Sequence, residues 1–549
     1  MNAWLQHLPV VPVIAPLCAG AIMLLMPESR RTRAALGIVA VLVQLVAALA
    51  LAYLTSDAVA DVWPRGVGVY SIGKWPAPFG IVLVVDRLAA VMLVLTATLA
   101  LASLVYSLAR WDRVGVNFHP LFQLQLMGLN GAFLTGDLFN LFVFIEVLLA
   151  ASYGLLLHGS GVARVKAGLH YIVINLVASL MFLIGVALIY GVAGTLNMAD
   201  LGPRAAALSP DDRGLFDIGA TILGLAFLIK AAVWPLNFWL PVSYPAAAAP
   251  VAAVFALLTK VGVYAIIRVG SLLYQSGVHG PFGSDWLFVG GIATVAYGIV
   301  GMLAAQSLAR VVAFSVILSS GTLLAAVGLD PNAMTGPALF YLVSSVLACG
   351  AFFMVTGMTE RMRTHYFETS DQAPLPVVSY SAFGMEDSHD VSDVEDEVGI
   401  AIPAAMAFLG LTFVCCALLV AGMPPLSGFI SKFAMLSAAV AIAPRSELPI
   451  ESWIFVGAML ATGLAAIVAL ARVGMRLFWS VVGRNTPRLR VIEAAPVALL
   501  IVLCIALTIA ADPVMTFLQA AADGVTSPQT YIDAALSADS DATAMGVAP

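Results

Sequence analysis

Charge is what this chain has least of. Of its 549 residues only 10% are Asp, Glu, Lys or Arg, against 61% hydrophobic, and the mean hydropathy is +1.00. Soluble domains carry roughly 25% charged residues, so this composition excludes them and indicates a polytopic membrane protein. Cysteine is scarce too. The five cysteines, Cys18, Cys349, Cys415, Cys416 and Cys504, all lie in apolar runs with no CxxC spacing. That leaves nothing for an iron–sulfur cluster, an attached haem or a structural zinc. There is also no P-loop and no GxGxxG after a strand, so the sequence predicts no cofactor, no metal and no nucleotide hydrolysis. Its energy must come from an ion gradient or from a partner. Nothing points to a nucleic-acid partner.

Long apolar runs are what is present. Stretches of about 17–25 residues suit a bilayer crossing, and they recur near 8–26, 33–54, 80–108, 118–135, 138–158, 168–193, 214–238, 249–277, 284–305, 309–329, 335–358, 401–422 continuing through 428–444, 453–480 and 492–519. The expected architecture is therefore an all-α membrane protein of about fourteen spans. The first run lacks a basic start and a small-residue cleavage site, so it reads as a retained helix. Loop charge orients the spans. Arg30, Arg31, Arg33, Arg110, Arg113, Arg164, Lys166, Arg310, Arg361, Arg363, Arg472, Arg476, Arg484, Arg488 and Arg490 follow odd-numbered spans. The opposite loops hold chiefly Arg65, Lys74, Arg204, Arg213 and Arg445. Basic loops stay inside, so both termini are expected outside. One long polar stretch, 362–400, carries an acidic run at 386–397 and reads as a solvated cytoplasmic loop.

Against this background the lysines stand out. The chain has five, and three fall inside apolar runs: Lys230 in GLAFLIKAAVWPLNFW, Lys260 in AVFALLTKVGVYAII and Lys432 in GMPPLSGFISKFAML. Glu146, in NLFVFIEVLLAASYG, is the acid at comparable depth. A charge at the bilayer centre costs at least about 2.5–3.5 kcal/mol, so such residues mark ion or proton pathways. Burial alone favours a neutral carboxyl, whereas a nearby lysine holds it ionised, and Lys230 is the natural partner of Glu146.

Two of the lysines sit beside helix breakers. Pro235 follows Lys230, and Pro424 and Pro425 precede Lys432. A proline within a span frees a backbone carbonyl, which is tolerated only where protein or a wet cavity satisfies it. Breaks at corresponding places in two halves point to an inverted-repeat transporter. These fall in expected spans seven and twelve, which fits two five-helix repeats, spans 4–8 and 9–13. The expected domains are 1–117, a first repeat at 118–277, a second at 284–480, and a C-terminal helix and tail at 492–549. Lys260 lies on an unbroken helix and is expected to relay protons. Ser315, Ser319, Ser320, Ser344 and Ser345 recur in spans ten and eleven and are either packing residues or a hydrated supporting path. His170 is placed at an interface or, secondarily, in a relay.

At these residues the chain resembles a known family. LFNLFVFIEVLLAASYGLL, GLAFLIKAAVWPLNFWLP, PVAAVFALLTKVGVYAIIR and MPPLSGFISKF look like the antiporter-like proteins of the Mrp (also Mnh or Pha) multisubunit cation/proton antiporters. Those are homologous to the proton-pumping membrane subunits of respiratory complex I. The resemblance covers roughly residues 80–480 and is closest to the shorter, D-type branch. It implies fourteen helices with inverted repeats, a Glu146–Lys230 pair, a central Lys260 and a terminal Lys432. It also implies a bacterial plasma membrane, subunits A, B, C, E, F and G as partners, and protons with Na+ or K+ as cargo. The alternative it leaves is a pumping subunit of a complex I-like redox enzyme. One departure is plain. Where complex I subunits carry a His-rich run after the first break, and His or Lys in helix eleven, this chain has SYPAAAAPVAAV and LFYLVSSVLACGAFFMVTG. The link from Lys260 to Lys432 is then expected to use water, serines and Tyr341.

Overall fold

The computed structural model describes residues 3–26, 29–59, 62–63, 66–75, 77–115, 117–274, 283–370, 404–444, 447–478 and 489–537. The acidic run at 386–397 lies outside them. The chain is built almost wholly of helices: α1 (Val11–Leu25), α2 (Arg30–Leu54), α3 (Arg87–Ser107), α4 (Phe118–Leu134), α5 (Leu138–Leu156), α6 (Val162–Ala193), α7 (Pro210–Lys230), α8 (Ala249–Tyr274), α9 (Ser284–Ala304), α10 (Leu308–Leu329), α11 (Pro331–Ser370), α12 (Ala404–Ala421), α13 (Ser427–Ala441), α14 (Ile450–Phe478), α15 (Val491–Ile509), α16 (Ala511–Thr526) and α17 (Gln529–Ser537). Among the described residues, 12 helices are long and apolar enough to cross a membrane. Two more, α4 with 17 residues and α7 with charges at both ends, occupy expected spans as well.

Two boundaries differ from the sequence expectation, each for a local reason. The run at 80–108 is not one helix. Val82–Val85 forms strand β2, antiparallel to β1 (Gly68–Ser71), with Gly68 opposite Val85. Asp86 then starts α3 by accepting a hydrogen bond from the Ala89 amide at 2.9 Å. The interruption of the long run at 401–444, between Ala421 and Ser427, falls where Pro424 and Pro425 lead one to expect it. The run at 492–519 divides at Ala510, ahead of Pro513, and helix continues as α16 and α17 to Ser537. Proline suits the first turn of a new helix, because the missing N–H would be unbonded there anyway.

Hydrocarbon offers no hydrophobic drive for helix association, so close packing depends on small residues that let backbones approach. A Cβ at Gly291 of α9 would lie 2.4 Å from the Ala325 nitrogen of α10, and one at Gly328 would lie 2.3 Å from the Phe288 nitrogen. The same device joins α6 to α7, where a Cβ at Gly185 would meet the Gly219 carbonyl at 2.8 Å. The result places α8 at the centre, buried along its whole apolar length. Around it α2, α6, α9 and α15 turn outward Val46, Leu180, Val300 and Val502. Gly291→Val is expected to destabilise the chain by about 1–3 kcal/mol through overpacking. Thermal unfolding of the detergent-solubilised protein reads this as a lowered midpoint, whereas Gly191→Ala, with open space around it, should not lower it.

Candidate functional site

The first break begins where α7 ends, at Lys230. Residues 231–239 leave the helix, and the chain turns helical again over Leu240–Ser243 and Tyr244–Ala246 before α8. Pro235 lies inside this segment, and Ala232 takes a left-handed φ of 57°. One backbone group of the break is satisfied by a neighbouring helix: the Trp234 amide donates to Thr294 Oγ1 of α9 at 2.9 Å. Lys230 is buried and donates from Nζ to Ser179 Oγ at 3.2 Å. Its place in the last turn suits a cation, because the leftover carbonyls there carry partial negative charge.

The second break repeats the arrangement in a different way. Helix α12 stops at Ala421, Gly422 takes φ 76°, and Pro424 and Pro425 lead into α13. Lys432, one turn into α13, points back at the break. Its Nζ donates to the Ala421 carbonyl at 3.1 Å and to Thr462 Oγ1 at 3.2 Å. A Cβ at position 422 would overlap Lys432 Cδ and displace the lysine stem, and the φ of 76° favours glycine there as well. Lys260 differs from both. It lies mid-helix on α8, is 1% exposed, and donates to Ser320 Oγ of α10 at 3.1 Å.

Glu146 sits on α5, half-buried, with Oε1 shielded from solvent and without a hydrogen-bond partner among the described residues. Lys230 lies in its electrostatic field. Among the described residues, however, no ion pair within 4.0 Å joins Glu146 to Lys230, and Ser179 takes the lysine's hydrogen bond. The two charges are neighbours, not a locked pair. Asp137 caps α5 by accepting from the Asn140 amide at 2.8 Å. Burial pushes its carboxyl up from the ordinary value, against hydrogen bonds from the Asn140 and Phe139 amides.

Between Lys260 and Lys432 the structure assembles hydroxyls from three helices. Ser319 of α10 bonds Ser345 of α11 at 2.9 Å, and Ser344 of α11 bonds Ser427 of α13 at 2.9 Å. A cavity of about 20 Å³ lies among Ser315, Tyr341, Ser344, Cys349, Ser431 and Lys432. That volume admits one water, since roughly 10–15 Å³ suffices on this measure. Ser315 donates to the Val311 carbonyl of its own helix at 3.0 Å. His170 does not join this group. It is exposed on α6, bonded to the Lys166 carbonyl at 2.9 Å, because its helical phase points it away from the interior.

Several polar residues escaped the sequence reading. Ser179, Thr294 and Thr462 serve the lysines and the first break, yet single Ser or Thr residues in apolar helices carry no distinctive signal. Arg268 did leave a signal. It is eight residues after Lys260 on the same helix, 2% exposed, and its Nη2 donates to Asp86 Oδ2 at 2.5 Å. Scanning for intruding lysines alone passed over an intruding arginine. Buried polar atoms with no hydrogen-bond partner among the described residues also gather round the first break and α8: Asn237 Nδ2, Trp239 Nε1, Tyr244 OH and Thr259 Oγ1. Buried polar groups of this kind take ordered water.

Residues 135–452 match the family described as NADH:quinone oxidoreductase/Mrp antiporter, TM. The match spans Glu146, Lys230, Lys260 and Lys432. The D subunit of a probable K(+)/H(+) antiporter from Rhizobium meliloti is 51% identical, covering 98% of this chain and 99% of the relative. The D subunit of a Na(+)/H(+) antiporter from Alkalihalophilus pseudofirmus is 32% identical over 97% of this chain and 100% of its own. Among solved structures, a chain of the Mrp complex from Dietzia sp. superposes with a TM-score of 0.78 at 26% identity, covering 97% of this chain and 100% of that one.

The lysine geometry carries its own test. Thr462→Val removes one of two oxygen acceptors from the buried Lys432 ammonium and should cost about 1–3 kcal/mol. A lowered unfolding midpoint is expected for Thr462→Val, and a midpoint near wild type for Thr462→Ser.

Proposed function

This chain belongs to the NADH:quinone oxidoreductase/Mrp antiporter family, and from that premise we propose how it works as a subunit of a cation/proton antiporter. It is a transporter component, similar throughout its length to D-type antiporter subunits, and not an enzyme. The proposed setting is a bacterial plasma membrane, with both termini outside and A, B, C, E, F and G subunits as partners. Residues 118–277 and 284–480 act as the two inverted repeats, each carrying one helix break.

In the proposed cycle Glu146 sets the charge of Lys230, and Lys260 passes protons toward Lys432. The observation that carries this is the treatment of the three lysines. Each is buried, and among the described residues each bonds only neutral oxygen acceptors: Ser179, Ser320, or Thr462 with the Ala421 carbonyl. An ammonium without a direct counter-charge is held loosely enough to lose its proton when the local field changes. A carboxylate near Lys230 but out of contact supplies such a field. The hydroxyls of α10, α11 and α13, with water in the 20 Å³ cavity, bridge Lys260 to Lys432. The driving energy is the membrane potential, about 2.3 kcal/mol per charge per 100 mV. The exchanged cation is Na+ or K+, and the resulting activity serves pH homeostasis.

A pumping role in a redox enzyme is the competing reading, and the near full-length 51% identity to an antiporter subunit favours antiport. Purification decides between them: flavin and iron–sulfur subunits with this chain would favour the redox enzyme. For the mechanism, proton flux in everted vesicles is driven by pulses of Na+, K+ or Li+. Glu146→Gln and Lys230→Ala, at wild-type membrane abundance and with the complex assembled, should each lose at least tenfold of that flux. Unchanged flux would overturn the proposal. His170→Gln should leave flux unaltered.

A further inference from the structure

Helix α8 carries a second buried cation besides Lys260. Lys260, Tyr264 and Arg268 are four residues apart and so form one stripe on one helix face. Tyr264 donates from its hydroxyl to the Phe133 carbonyl at 2.7 Å, and the Arg268 guanidinium lies 5.6 Å from the Tyr264 ring centroid. Arg268 Nη2 is held by Asp86, while its Nε and Nη1 are buried with no hydrogen-bond partner among the described residues. Beyond this ion pair lies a cavity of about 270 Å³, lined by Asp86, Arg87, Asp523, Ser527, Thr530 and Tyr531. It has room for several waters, since roughly 10–15 Å³ admits one on this measure. The loop-charge asymmetry puts this end of α8 on the outer side. Tyr531 of α17 closes over the guanidinium, with its ring centroid 4.7 Å away.

Asp86 lines this cavity, whereas Arg268 lies behind it on the side of Lys260. An aqueous route from Lys260 to the cavity would let protons leave before reaching Lys432. We propose that Arg268 is the barrier that prevents this: a fixed positive charge that seals Lys260 from the outer cavity. A guanidinium stays charged at any working pH and cannot release a proton, so it interrupts a relay where a lysine or tyrosine would extend one. Fixed arginines exclude protons and cations from pores by the same repulsion. Asp86 holds the guanidinium in place and collects cations at the mouth, and Tyr531 fixes the guanidinium plane. Arg268 is thus a positioning residue that gives proton flow its direction.

This inference rests on Lys260 carrying protons, and the two are separable by experiment. Sealed vesicles containing the assembled complex receive a pH step with no Na+, K+ or Li+ gradient, and proton leak is followed with a pH-sensitive dye. Arg268→Gln and Arg268→Met are both made, and whichever reaches wild-type abundance carries the test. Its leak should rise at least fivefold over wild type, and Arg268→Lys should leak as well, because a lysine can pass on the proton that a guanidinium holds. Tyr531→Ala should stay tight, because the guanidinium remains. Adding Lys260→Ala to the leaking variant should return the leak to baseline. A tight Arg268→Gln or Arg268→Met, a leak that survives Lys260→Ala, or a leak from Tyr531→Ala equal to theirs would each overturn the barrier. Lys260→Ala alone, read by cation-driven flux, decides the relay reading independently.

Discussion

An ammonium buried in hydrocarbon must be given oxygen acceptors, and the organisation of this chain follows from how three of them obtain theirs. Lys230 stands at the carbonyl end of a stopped helix and reaches a serine on α6. Lys432 folds back onto the carbonyl that the second break leaves free. Lys260 has no break beside it and takes a hydroxyl from α10, which requires α8 and α10 to pack closely. In a medium without water, each solution demands a specific neighbour. The glycines and small residues at the helix contacts are what bring those neighbours within reach. Packing and charge placement are here one constraint.

The acceptors chosen are neutral, and that choice shapes the chemistry. A carboxylate in contact would fix each lysine in its charged form, while a lone hydroxyl or carbonyl solvates the ammonium without trapping it. The contrast is Arg268, which does receive a carboxylate, Asp86, in direct contact. One helix therefore bears two cations that are held differently: Lys260 by a serine hydroxyl, Arg268 by a carboxylate. The carboxylate that holds Arg268 lines the cavity under Tyr531, and Lys260 is turned toward Ser320 of α10.

The sequence made much of this legible, for physical reasons. Apolar runs mark spans because lipid tolerates little else, and prolines mark breaks because they cannot donate a hydrogen bond. Buried lysines are conspicuous because they are costly. Other features were hidden. VLVV at 82–85 reads as the start of a span, since hydropathy does not separate a buried strand from a helix end. The segment after 519 reads as a tail, yet α17 brings Tyr531 onto Arg268, a contact no local pattern announces. The departure from a His-bearing relay was legible, and the hydroxyl pairs Ser319–Ser345 and Ser344–Ser427 occupy the gap it left. The distance between Glu146 and Lys230 was not, because spacing along the chain does not fix how two helices rotate against each other.

The central claim is that the buried lysines form one series ending at Lys432. The most direct measurement is cation-driven proton flux in everted vesicles carrying Lys432→Met, with the complex assembled and Lys230 and Lys260 untouched. The account predicts that flux is lost, because protons arriving from Lys260 find no terminal carrier. Flux equal to wild type would contradict it, since the path would then leave the chain before the second break.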